Sequence, residues 1–133
     1  MSLIGAHYIL AEDDKTPIAC SAEEWAKWLE TSEDRRVVAR TNLGALGEVS
    51  TVFLGLNHNF GNYGKPILWE TMCFEGPLDE GQWRDTSWSR AVARHRLVVR
   101  KLWQIAMRLF PNEEPAIRDA AAAAFAQLGG KLL

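Results

Sequence analysis

Three polar side chains are the residues best placed to do chemistry: His58, in an Asn/Gly-rich loop, and Glu70 and His95, which fall where the surrounding pattern is apolar. A histidine held against a carboxylate can act as a general acid or base, because burial moves one of the two titrations toward neutrality. The spacing around Glu70 decides whether that pairing is available. Residues 48–55 and 66–74 are apolar runs rich in β-branched and aromatic side chains, and the Asn/Gly-rich stretch between them has the composition of a hairpin loop. Centring that loop on Gly61 sets Leu56 opposite Pro66, Leu54 opposite Leu68 and Val52 opposite Glu70. Glu70 then shares a sheet face with Leu54, Leu68 and Met72, where an unpaired carboxylate would be very costly. His95, on a later helix, is the partner the sequence offers. The plainer outcomes are a structural ion pair, or a Glu70 turned to water by a register one residue different.

His58 belongs to the loop itself, with Asn57, Asn59, Asn62, Tyr63, Gly61 and Gly64. Such residues tolerate positive φ and bond their own backbone, so the stretch can cradle a phosphate or a metal, or simply connect two strands. It lacks an Asp/Glu/His cluster at ligand spacing, and its glycines lack the GxxxxGK[ST] order of a P-loop. No GxSxG nucleophile elbow occurs. Cys73 lies within an apolar strand, where its thiol is expected to be buried and inert. Cys20 has no CxxC or Cys/His companion, and two isolated cysteines point to a reducing cytoplasm. Neither a cofactor nor a metal is expected.

The elements that must hold these residues follow in order along the chain. Residues 7–11 read as a first strand, ended by the turn-forming Glu12, Asp13, Asp14 and Lys15. Ser21 and Glu24 form a capping box that opens an amphipathic helix from about Ala22 to Glu30, with Trp25, Trp28 and Leu29 on the side that docks on a sheet. Residues 35–41 make a second strand, which turns through Asn42, Gly44 and Gly47 into the third, 48–55, and then the fourth, 66–74. Short links make strands two to four an antiparallel meander. Residues 76–81 read as a loop. A long helix then starts near Thr86 or Ser87 and ends at Phe110, with Trp88, Ala91, Val92, His95, Val99, Leu102, Ala106 and Leu109 in one apolar stripe. A last helix starts at Glu113 and carries the alanine run. The expected fold is α+β: a small antiparallel sheet of about four strands, an N-terminal amphipathic helix and a long C-terminal helix pair. One domain covers 1–133, with a core over 4–110 and an alanine-rich helical extension over 111–133.

At 133 residues, 47% apolar and 24% charged, with a formal net charge of −2, the chain has the composition of one soluble domain. No apolar run is long enough to cross a membrane, and the N-terminus lacks a basic-then-apolar leader. Charge is unevenly placed. Residues 1–34 hold eight acids against two lysines, a net of −6, while residues 84–108 hold six arginines and Lys101 against Asp85, a net of +6. Arg90, Arg94, Arg100, Lys101 and Arg108 lie largely opposite the apolar stripe, with Trp83 and Trp88 nearby. These residue types track phosphates and stack bases. The acidic balance of the whole chain, and a −6 segment able to neutralise the helix, argue against nucleic acid as the partner.

The run Ser50-Thr51-Val52-Phe53-Leu54-Gly55-Leu56-Asn57-His58-Asn59-Phe60-Gly61, followed by Trp69-Glu70-Thr71-Met72 and Phe74-Glu75-Gly76-Pro77-Leu78-Asp79, resembles a small family of bacterial, prophage and phage proteins. The likeness covers roughly residues 6–100, including an Ala-x-x-x-His pattern at Ala91 and His95, and the segment from Pro111 onward departs from it. The resemblance implies a bacterial or phage accessory protein and supplies no activity. The third and fourth strands are apolar on both faces, so the second face must be covered by helices or by another copy of the chain. The leading expectation is a non-catalytic accessory or interaction protein that self-associates as a homodimer. A small enzyme with a Glu/His acid–base pair is the alternative, and a nucleic-acid binder through the arginine face is the third reading.

Overall fold

The computed structural model describes residues 5–60 and 64–109. Strands β1 (His7–Leu10) and β2 (Pro17–Cys20) form a hairpin, followed by α1 (Ala22–Thr31) and the single turn α2 (Glu33–Arg36). A four-stranded antiparallel meander comes next: β3 (Val37–Asn42), β4 (Glu48–Phe53), β5 (Trp69–Phe74) and β6 (Gln82–Asp85). The long helix α3 (Trp88–Leu109) packs across one face of that sheet and touches all four strands. The fold is therefore α+β. The expected helix from Glu113, the extension 111–133 and the loop centre Gly61 lie outside the described residues.

The pairing differs from expectation in two places. The first strand does not join the meander; it pairs with β2, and it is tied to the segment after β4 by bonds from Tyr8 N to Gly55 O (2.7 Å) and Asn57 N to Ala6 O (3.0 Å), while Tyr8 and Leu10 pack on Phe53 and Trp69. The fourth strand of the sheet, β6, lies just beyond the stretch expected as a loop. Its residues, Gln82-Trp83-Arg84-Asp85, carry no apolar alternation to announce a strand, because β6 is an edge strand with only one neighbour. Between β4 and β5 the register is Val49 to Cys73, Val52 to Glu70 and Phe53 to Trp69, which is the register set by a loop centred on Gly61.

Local chemistry explains the turns. In the β1–β2 turn the hydroxyl and N–H of Thr16 and the N–H of Lys15 all donate to the Asp13 carboxylate, holding its pKa down to about 2. Arg35 then clamps this turn to α2, donating through Nε to Asp14 at 2.6 Å and through Nη2 to the carbonyl of Ala11 at 2.7 Å. Ser21 starts α1 by accepting from Glu24 N at 3.1 Å, and Ser87 starts α3 by accepting from Arg90 N at 3.1 Å. No side chain of α1 is fully buried; Trp25 lies against His7 and Trp28 meets Phe53 edge-on at 5.8 Å, so the helix leans on β1 and the end of β4.

Two apolar clusters fill the space between α3 and the sheet. One gathers Leu43, Leu46, Val49, Cys73, Val99 and Leu102; the other gathers Tyr8, Leu10, Phe53, Leu68, Trp69 and Ala91. At the first end, the β3–β4 and β5–β6 connections press together backbone to backbone. Gly47 has φ +95° and Gly76 φ +72°, and a Cβ on Gly76 would collide with the carbonyl of Leu46. Gly44, also at positive φ (+62°), has open space around it. Both strain and collision therefore act on Gly76→Ala, which should lose about 2 kcal/mol or more and melt roughly 6–10 °C lower. Gly44→Ala carries the strain alone and should lose about 1 kcal/mol. Thermal denaturation followed by circular dichroism compares the two; equal losses would mean that the contact between connections contributes nothing.

Candidate functional site

His95 lies at the centre of the α3 stripe and is completely buried. Its Nε2 is 2.8 Å from Thr41 Oγ1 on β3, and its Nδ1 is 2.8 Å from Thr51 Oγ1 on β4. The Thr51 hydroxyl is in turn 2.7 Å from Thr71 Oγ1 on β5. Three adjacent strands thus each place one threonine on the inner face, at inward positions otherwise taken by apolar side chains. A neutral imidazole has one donor and one acceptor nitrogen, and hydroxyls do both, so the chain of bonds closes with either tautomer. Thr41, Thr51 and Thr71 are at most 4% exposed. The network gives a substrate no surface to approach, and its work is to tie α3 to β3, β4 and β5 in one register.

Glu70 does not meet His95. Residues alternate between faces along a strand, so Thr71 inward sends Glu70 outward, and the sheet separates the carboxylate from the imidazole. On the outer face Glu70 accepts from Arg84 Nε at 3.1 Å and from the amide of Gln82, its neighbours across β6. The expected grouping of Glu70 with Leu68 also fails. Regular pairing stops at Phe53 and Trp69, the alternation is not carried past them, and Leu68 is buried with the core cluster.

His58 is bonded within its own loop. Its Nδ1 donates to the carbonyl of Leu56 at 2.8 Å, its N–H donates to Ile67 O at 2.9 Å, and its ring lies 5.7 Å from that of Phe60. Asn57 holds the loop together, its Oδ1 accepting from Asn59 N (2.8 Å) and Ile67 N (3.1 Å). Among the described residues no group of three His, Cys, Asp or Glu is placed to hold a metal ion. Both thiols are held in the neutral form: burial, then Asp79, pushes Cys73 up, and burial, then Glu24, pushes Cys20 up. Neither is an activated nucleophile.

Among the described residues, the outer sheet face and the outward side of α3 offer exposed surface. The outer sheet face carries Val52, Met72 and Phe74 beside Ser50 in a groove of about 480 Å³. It is flanked by the pairs Arg40–Glu48 (3.7 Å) and Glu70–Arg84 (3.1 Å). The outward side of α3 carries Arg90, Arg96, Arg100, Lys101 and Arg108, all exposed, while Arg94 turns to Asp85 at 3.3 Å. The threonine chain was not foreseen from the sequence, although the register that pairs Val52 with Glu70 also sets Thr51 opposite Thr71. Comparison with family models, curated proteins and solved structures finds no match. Any functional reading rests on the residues themselves.

Thr51→Val removes the hydroxyl shared by His95 and Thr71 while keeping its shape, and should cost about 2–3 kcal/mol; Thr41→Val, which breaks one bond, should cost about 1–2 kcal/mol. Urea denaturation measures both, and a Thr51→Val chain as stable as the parent would show that the network is not what holds α3. Cys73, 1% exposed, should resist an aromatic disulfide reagent in the native protein and react once denatured.

Proposed function

We propose that the protein is a small non-catalytic accessory protein, of bacterial or phage origin, that self-associates through the outer face of its four-stranded sheet. The observation that carries this reading is the groove around Val52, Met72 and Phe74, with Phe74 48% exposed on the face opposite α3. Four strands about 4.8 Å apart, three of them six residues long and β6 four, offer a face of roughly 20 by 20 Å at most. A face of about 400 Å² is within the range of the largest patch on an ordinary monomer, which is often functional, and about half of one side of a standard interface, which suits a weak, micromolar dimer. The charges support a two-fold arrangement: Arg40 and Arg84 balance Glu48 and Glu70, so the patch can face a copy of itself without net repulsion. The enzyme reading lacks the Glu70–His95 pair on which it depended. Two cysteines outside any disulfide fit a reducing cytoplasm, and the half-buried Trp25 and Trp28 fit α1 as an amphipathic arm braced on β1 and Phe53.

The test is solution mass against concentration. Light scattering should show the mass climbing from monomer toward dimer between ~1 and ~200 µM. Phe74→Glu, a surface change with unaltered circular dichroism, should hold the chain at monomer mass. A parent that stays monomeric at the top of that range overturns the reading, as does a Phe74→Glu variant that dimerises as the parent does.

A further inference from the structure

The side of α3 that faces away from the sheet is cationic along its whole length. At 100° per residue, Arg96 and Arg100 fall on one side of a line through Ala93, Leu97 and Gln104, and Arg90, Lys101 and Arg108 fall on the other. All eight residues are exposed, and α3 contains no Asp or Glu. The acidic N-terminal segment does not neutralise these rows. Asp14 pairs with Arg35 and Glu23 with Lys27, and among the described residues the ion pair of α3 is Arg94 with Asp85. A second copy of the same face would be repelled, so this surface is unsuited to the two-fold contact assigned to the sheet.

We propose that the outward face of α3 binds duplex DNA through the phosphates that border the major groove. From Arg90 to Arg108 the helix runs about 27 Å, at 1.5 Å per residue. A helix with side chains is about 10–12 Å across, and the B-form major groove is about 12 Å wide, so each cationic row meets one phosphate strand. The midline then points at base edges with groups that suit them: Gln104 can bond adenine, and Ala93 and Leu97 can touch a thymine methyl. Duplex RNA is a poorer fit, since its major groove is too narrow to admit side chains. An acidic peptide is also a poorer fit, because Leu97 is the one large apolar side chain exposed on the described α3, too little to form the core of a protein interface. This inference does not depend on the sheet-face association.

The experiment is fluorescence anisotropy of a labelled DNA duplex of about 20 base pairs titrated with the full chain, with an RNA duplex and poly-glutamate as competitors. Micromolar binding is expected at about 50 mM salt, weakening with a log–log slope of about −4.5 for five cations. The double variant Arg96→Gln/Lys101→Gln removes one exposed cation from each row. With circular dichroism and melting unchanged, it should bind about tenfold or more weakly and flatten the slope by about 2. RNA should compete less well than unlabelled DNA, and poly-glutamate hardly at all. No binding at ~100 µM protein and low salt, a slope near zero, or a double variant equal to the parent overturns the proposal. Poly-glutamate competing as well as DNA also overturns it, in favour of an acidic protein partner.

Discussion

The structure depends on one buried imidazole. His95 lies inside a layer of valine, leucine and aromatic side chains, where an unsatisfied ring nitrogen would cost on the order of 1–3 kcal/mol. Threonine hydroxyls on β3 and β4 meet the two nitrogens, and a third on β5 completes the chain. A valine has nearly the shape of a threonine, so packing alone does not require hydroxyls there. The polar chain adds selectivity: a slip of β4 against α3 by one residue would turn Thr51 outward and leave the imidazole among apolar atoms.

Once that register is set, the two sides of the sheet take different roles. Odd-numbered residues of β4 and β5 face α3, and even-numbered ones form the outer face, where Glu70 lies beside Met72 and Phe74 and is answered by Arg84 and Gln82. The same alternation makes Glu70 a surface residue and removes the acid–base pair. The buried stripe of α3 leaves its arginines outward by default, since a helix that spends one side on the core has the other for solvent or a partner. The chain therefore shows two surfaces of unlike character: a charge-balanced groove on the sheet and a cationic ridge on the helix. At the far end Arg35 fastens the β1–β2 hairpin by bonding both Asp14 and the carbonyl of Ala11.

Much of the core was legible because it rests on short-range patterns. The β4–β5 register followed from the loop centre, and the stripe with His95 at its middle followed from the 3.6-residue period. The cap at Ser21 could be read from residue type, and the start of α3 could be placed near Thr86 or Ser87. What was not legible is pairing that the segments' own residues do not announce. β6 is held by pairing with β5, and its own residues show no strand pattern. β1 finds β2 across a turn built by Asp13, so nothing local excluded it from the main sheet.

The amino-acid sequence by itself determined which segments bury an apolar side, where turns fall, and that His95 sits at the middle of the apolar stripe of α3. Only the tertiary structure decided which polar residues share a face. Glu70 and His95 are separated by the sheet, whereas Thr41, Thr51 and Thr71 converge from three strands on one side chain. The reason is geometric: periodicity specifies a face relative to its own element, but which face turns to the helix is settled by packing all the strands against α3 at once.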